Sequence, residues 1–486
     1  MNFNSLQYIV FLAVNVTLYY LLPQRFRNVQ LLLASYYFYM CWNPAYALLM
    51  LFSTAVTYGC GLLVGQGVLG KRRLWVALSL VLNLGVLFFF KYYNFAADVL
   101  TRGMEFLGLR MDVPLLDVLL PVGISFYTFQ ALGYTIDVYR GHVPAEKNFI
   151  DYALFISFFP QLVAGPIERS SNMLHQLKEY HPFHYENLKA GFLPVLWGLF
   201  KKVVIADNFA VVVNQVYNAP QEHGGGAFLV ATVAFAFQIY CDFSAYSDIA
   251  RGSARMLGFR LMENFNCPYF AVSIKDFWRR WHISLSSWFK DYLYFPLGGS
   301  RCGKGRTCLN VMIVFFVSGL WHGAALTFVA WGLLNGAYQV VSLLLDPLRK
   351  KVMGALHLSG DNLFVKGFRV CCTFFLTCMA WVLFRANSLT DALTAYRALC
   401  TLPFNGLDGT LTSFAGIGIK ALMLLPVCAI VLAVVDWLSA RFQIGHRLNQ
   451  TVALRYGIYF LLVVSILLFG SYGEGYDPQA FVYFQF

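Results

Sequence analysis

The chain has 486 residues, 59% of them hydrophobic and 12% charged, with a formal net charge of +12. Soluble domains average about 25% charged residues. Half that share, with a mean hydropathy of +0.59, excludes a soluble globular protein. The positive charge reads as loops beside anionic lipid, not as a nucleic-acid footprint.

The first apolar run, Leu6 to Leu22, has no A-x-A cleavage signal after it and is expected to be a retained span. Further runs lie near 29–41, 44–65, 74–93, 115–139, 188–206, 228–250, 307–321, 324–345, 367–385, 412–440 and 452–471. They predict an all-α polytopic membrane protein of about ten to twelve transmembrane helices, forming one domain over 1–486. The runs 29–41 and 307–321 fall short of the roughly twenty residues a crossing needs and are expected to be tilted, broken or re-entrant.

Lysine and arginine set the orientation. Arg25 and Arg27, Lys71 to Arg73, Lys201 and Lys202, Arg349 to Lys351, and Arg441 to Arg455 mark cytoplasmic edges. The loop 251–306 holds the largest basic concentration. This alternation predicts a cytoplasmic 251–306 loop and extracytoplasmic N- and C-termini, with Arg102 and Arg110 on the outer side. The stretch 149–167 is apolar but broken by Pro160 and Pro166. It reads either as a re-entrant segment lining a cavity or as a surface helix ended by proline. The eleven cysteines lie mostly in apolar runs without C-x₂-C pairs, so neither disulfides nor a metal site is expected.

Two polar clusters follow. Asp242 to Asp248, Asp-Phe-Ser-Ala-Tyr-Ser-Asp, ends an apolar run; on its own it reads as a membrane-edge turn with capping side chains. From Lys275 to Tyr294 a helical period gathers Trp278, Trp281, Leu285, Trp288 and Tyr292 on one side. Placing Lys275, Asp276, Arg279 and Arg280 at mid-bilayer would cost on the order of 10 kcal/mol, so this helix is expected to be interfacial, with snorkelling arginines. Arg279 and His282 would form a polar edge toward a cavity, where arginines hold phosphates. Gly298 to Lys304 matches most of a phosphate-loop pattern, but Gly305 stands where a hydroxyl belongs and no strand precedes it; that reading is rejected.

His322, in Ser-Gly-Leu-Trp-His-Gly, lies inside a long apolar run. An ionisable group there is a candidate functional residue, the alternative being a packed histidine bonded to a neighbouring helix.

Trp278-Arg279-Arg280-Trp281-His282, Asp291-Tyr292-Leu293-Tyr294, Pro296-Leu297-Gly298-Gly299 and Trp321-His322-Gly323, in this order, resemble the membrane-bound O-acyltransferase family. The branch is that of the bacterial alginate O-acetyltransferase membrane subunits; the signature region runs from 242 to 331, and a weaker likeness covers nearly the whole chain. The resemblance implies helices around a central cavity, with His322 as the catalytic histidine and His282 as a second functional one. Trp278, Arg279, Arg280, Asp242, Tyr246, Asp291 and Trp321 would line the cavity or meet the donor. Ala245 departs from the family's usual glycine, and Arg251 from an apolar residue, which bears on cavity shape and donor contacts.

Acyl transfer from a thioester to a hydroxyl needs a base and donors for the oxyanion, and histidine is the natural base near neutral pH. No G-x-S-x-G elbow or D-H-H-C cysteine is present to signal a covalent route. The implied activity is acetyl transfer from a cytoplasmic donor, acetyl-coenzyme A as substrate and no bound cofactor, toward an extracytoplasmic polysaccharide, in a bacterial plasma membrane. The implied partner is an exported or tethered hydrolase-like transferase of SGNH type. D-alanyl transfer to teichoic acid from a carrier protein is an alternative, and a polysaccharide transporter one of another class, though no repeated halves with broken helices are seen. The aromatic tail 473–486 reads as an interface anchor or as an acyl relay through Tyr483, its phenoxide leaving more easily than a sugar alkoxide.

Overall fold

The computed structural model describes residues 1–67, 70–109, 113–355, 357, 362–401, 410, 413–414, 419–442 and 451–472. Its described regular structure is helical throughout. The elements are α1 (Leu6–Leu21), α2 (Gln24–Met40), α3 (Pro44–Gly65), α4 (Arg72–Phe106, with a π-helical turn at Phe88–Tyr92), α5 (Ile124–Arg140), α6 (Phe149–Ser157) and α7 (Ser170–Lys178). Then follow α8 (Tyr185–Phe200), α9 (Asp207–Tyr217), α10 (Gly225–Met256), α11 (Ile274–Arg280), α12 (Ile283–Phe289) and α13 (Lys304–His322). The last are α14 (Leu326–Ala355), α15 (Leu363–Arg385), α16 (Leu389–Cys400), α17 (Ile419–Phe442) and α18 (Val452–Phe469). Among the described residues, seven helices are long and apolar enough to cross a membrane: α3, α4, α10, α14, α15, the Leu422–Ser439 part of α17, and α18. The protein is therefore a multi-pass membrane protein. The run 115–139 becomes helical only from Ile124, and 29–41 is the C-terminal part of a 17-residue helix.

The chain forms two compact units. The first comprises Met1–Val195 and Tyr246–Met262, the second Leu196–Ala245 and Glu263–Phe486.

In the first unit the proline-broken stretch is buried from Asp151 through Glu168, which rules out a surface helix. After α6 the backbone leaves the helix, and buried backbone groups must find partners. Ser35 Oγ accepts from the Phe159 N–H at 3.0 Å, and Gln161 Nε2 donates to the Phe155 carbonyl at 2.9 Å, as does Gln130 Nε2. Within 149–167, the part that follows α6, 158–167, is thus irregular backbone sustained by protein side chains. Glu168, at its end, accepts from Asn172 Nδ2 at 2.7 Å and from the Met262 N–H. Its burial raises its pKa to about 6.

In the second unit the end of α8, from Leu196, runs through a π-helical turn, Lys201–Ala206, into α9 without a break. Lys201 and Lys202, expected at a cytoplasmic edge, are buried in that turn. Lys202 Nζ lies 2.8 Å from Asp242 Oδ1 and 2.9 Å from Asp207 Oδ1, and Lys201 Nζ donates to Ser244 Oγ at 2.6 Å. These lysines are held by partners on α9 and α10 within a continuous helical run. The α13–α14 hairpin forms where small residues allow close approach. A Cβ on Gly319 would strike the Phe328 carbonyl oxygen, and one on Gly332 the Phe315 carbonyl oxygen.

Candidate active site

The 275–294 stretch, expected as one amphipathic helix, is two. Ser273 caps α11, its Oγ accepting from the Asp276 N–H at 3.1 Å. The helix stops at Trp281, because His282 takes the left-handed backbone conformation, φ 43°. A side chain in that region is costly, and such strain is retained where the surroundings fix it. The turn restarts the chain as α12, so the tryptophans no longer share one stripe. Trp281 is buried against Phe277, Phe265 and Trp381, while the His282 ring is fully buried beside Phe243, 4.6 Å between centroids.

Three hydrogen bonds fix the state of His282. Asn264 Oδ1 accepts from the Ser284 N–H (3.3 Å) and from Ser284 Oγ (2.8 Å), and lies 3.1 Å from His282 Nδ1. A backbone N–H can only donate, so the Asn264 atom is an oxygen and Nδ1 of His282 carries the proton. The neutral ring then has its lone pair on Nε2. Burial pushes the His282 pKa down to about 3, so the ring is neutral at physiological pH.

His322 is the last residue of α13, buried at 3% exposure. The glycine contacts between α13 and α14 set Trp331 edge-on to its ring, centroids 4.9 Å apart. Trp321 (4.9 Å) and Phe384 (5.5 Å) complete the wall. The two imidazole centroids are 6.4 Å apart, with Trp321 5.8 Å from His282. Ring nitrogens lie about 1 Å from a centroid and hydrogen bonds span about 3 Å, so one small group could meet both histidines. The arrangement offers two imidazoles in aromatic surroundings, suited to proton transfer away from bulk water.

Against this geometry, the match to a family model is decisive. Residues 141–381, which hold both histidines, match MBOAT, the membrane-bound O-acyltransferase family. A probable alginate O-acetylase, AlgI, of Pseudomonas aeruginosa is 40% identical over 393 residues, 80% of this chain and 73% of that one. The chain belongs to the membrane-bound O-acyltransferase family. Within it, the likeness is to the AlgI-like branch, and the chain is an O-acyltransferase. A peptidoglycan O-acetyltransferase of Helicobacter pylori is 34% identical over 424 residues, 81% of this chain and 78% of that one. A teichoic acid D-alanyltransferase of Streptococcus thermophilus is 30% identical over 234 residues, 46% of this chain and 56% of that one.

The other candidate residues of this O-acyltransferase divide by position. Trp278 packs on Trp331 (5.7 Å) and Phe315 (5.3 Å), joining the aromatic wall behind His322. Arg279 is exposed, and Arg280 Nε pairs with Asp276 Oδ2 at 3.1 Å. Asp291 is half-buried in the π-helical turn Lys290–Tyr294. Asp242 is buried against Lys202, as above. Tyr246 belongs to the first unit, its ring 5.5 Å from Phe3. Tyr483 and the tail 473–486 lie outside the described residues. Asn264 was not singled out from the sequence. It stands 18 positions before His282 in Glu-Asn-Phe-Asn, and no helical or strand period links the two.

Proposed function

We propose that this O-acyltransferase moves an acetyl group from a cytoplasmic donor, acetyl-coenzyme A, toward an extracytoplasmic polysaccharide, an alginate-like exopolysaccharide or a cell-wall glycan. What supports acetyl over D-alanyl is the reach of the likeness: the acetyl-transferring relatives match about four fifths of the chain, the D-alanyl-transferring one less than half. The observation that carries the site is the pair of buried histidines 6.4 Å apart.

In this reading His322 is the general base. A hydroxyl oxygen attacks the thioester carbonyl carbon, and its proton passes to a His322 ring nitrogen. The C–S bond breaks as the C–O bond is completed, and the proton returns to the departing thiolate. The last carbonyls of α13, with their partial negative charge, lie where an imidazolium would form. His282 assists or positions. The cationic groups Lys275, Arg279, Arg280, Arg301, Lys304 and Arg306 would flank the donor entrance on the cytoplasmic side, and both termini would lie outside an inner membrane. The whole chain would serve as one catalytic membrane domain, and an exported SGNH-type hydrolase-like partner would complete delivery.

The test is transfer of labelled acetyl from acetyl-coenzyme A to unacetylated alginate or peptidoglycan fragments by purified full-length protein. Labelled polymer, lost in His322→Ala at unchanged abundance, is the expected result. Wild-type transfer by that variant would overturn the assignment of the base. Cysteine labelling at Ser300, in a background without native cysteines, checks orientation; labelling only from outside would reverse it.

A further inference from the structure

His282 is held by a residue that lies within the 242–331 region but outside the four short motifs that carry the family resemblance. Asn264 meets the His282 turn with its side chain and its backbone together. Its Oδ1 takes His282 Nδ1–H and both donors of Ser284, while its carbonyl accepts from the Ile283 N–H at 2.9 Å. Two residues on, the Asn266 N–H donates to the Arg280 carbonyl, also at 2.9 Å. The 264–266 stretch is thus tied to both sides of the left-handed residue, and Asn264 is completely buried. A carbonyl oxygen accepting three donors has no way to donate back. It therefore selects one imidazole tautomer as well as one ring plane.

We infer that Asn264 is a positioning residue for the acyl transfer: it locks His282 as the Nδ1–H tautomer, so that Nε2 works only as a hydrogen-bond or proton acceptor. This rests on the reading above that His282 takes part in the reaction. It also divides the labour within the pair. With its proton committed to Asn264, neutral His282 offers no N–H to an oxyanion. What it can meet is a group that brings a hydrogen of its own, the acceptor hydroxyl being the one the reaction supplies. His282 then orients that hydroxyl for attack while His322 takes the proton. The donor for the developing oxyanion must come from elsewhere in the site.

Two substitutions separate tautomer control from simple packing. Asn264→Leu keeps the approximate volume and removes the acceptor. Asn264→Asp keeps an acceptor for all three donors and adds a charge against the ring, which favours imidazolium. Asn264, Ser284, Phe243, Trp321 and His322 stand beside His282, and of these His322 is titratable, so each profile is compared with that of wild type carrying the same His322.

With the purified full-length protein and labelled acetyl-coenzyme A, Asn264→Leu is expected to lower kcat about 10²-fold, the scale of a roughly 1 Å misplacement, with KM for the donor unchanged. Asn264→Asp is expected to retain activity at alkaline pH and to gain an acid limb about one to three pH units above any in wild type. A wild-type kcat in Asn264→Leu, or an unmoved pH profile in a fully active Asn264→Asp, would overturn the inference. If Asn264→Leu does not fold, judged by size-exclusion chromatography, the Asp variant decides alone. His282→Ala is run alongside. Wild-type activity there removes the reading on which the inference rests. An inactive His282→Ala with unaffected Asn264 variants leaves that reading standing and sinks only the role of Asn264.

Discussion

Two of the sets of ionisable side chains buried in the second unit are treated in opposite ways. Around Lys202 every charge has a counter-charge or hydrogen-bond partner at close range: Asp242 at 2.8 Å and Asp207 at 2.9 Å, with Lys201 on Ser244 at 2.6 Å. Around His282 and His322 stand indole and phenyl rings, with neutral Asn264 as the hydrogen-bond partner of His282. A buried ion must be compensated or it will not stay ionised. The lysine cluster meets that demand fully and so behaves as a clasp between α9, α10 and the π-helical turn. His282 stays neutral on Asn264 Oδ1, and His322 is the ring that the proposed proton transfer would use. A polar group's burial alone therefore does not point to chemistry; the nature of its partners does.

The sharpest test of this contrast is His322→Ala. It should reduce acetyl transfer about 10³-fold, the usual scale of a lost base, while abundance and detergent-solution stability stay near wild type. Lys202→Met should do the reverse. It strands two buried carboxylates, and one-sided removal of a buried pair costs about 3–5 kcal/mol. Thermal unfolding and membrane abundance should fall sharply, yet the remaining folded protein should turn over normally. If Lys202→Met is instead stable and inactive, the clasp belongs to the active site and the contrast fails.

A smaller effect is expected from acid. The folded pKa of His282 is about 3 against 6.5 for an exposed histidine, so as pH falls below 6.5 the unfolded chain takes up a proton that the folded chain refuses. The stability that His282 carries is complete above pH 6.5 and is lost progressively toward pH 3. Replacing it with glutamine should flatten this part of the Tm-versus-pH curve. Unchanged steepness would mean that other groups set the acid limit. The smallest effect belongs to Arg279→Ala: the side chain is exposed, and activity at saturating donor should change by less than about twofold, with any loss appearing in KM and growing at low salt.

Much of this was legible in the sequence, for identifiable reasons. Long apolar runs announce helices because a backbone in lipid must bond to itself, and α3, α10, α14, α15 and α18 lie close to the expected segments. His322 stood out because an imidazole in an apolar run is conspicuous. Local charge and local period showed less. Lys201 and Lys202 read from the sequence only as positive charge, since their partners are 5 to 43 residues away and a charge count cannot see them. The 275–294 helix looked continuous because its aromatic spacing survives a break; only the φ of His282, imposed by Asn264 and its neighbours, reveals the turn. The buried turn after α6 drew on Ser35 and Gln130, again remote in sequence. Long-range polar pairing is the information that composition and periodicity lack.

The indole wall around His322 has a consequence for selectivity between acceptors. In the proposed reaction a thioester beside a base has a competitor in water, which is small, abundant and chemically as competent as a sugar hydroxyl. Trp321, Trp331 and Phe384 crowd the ring from several directions, and a dry site deprives that competitor of its advantage in concentration. Wasted donor then becomes a quantity that the wall controls. Free acetate released per acetyl group delivered should rise when Trp331 is cut back to alanine, even where the rate of donor consumption holds steady.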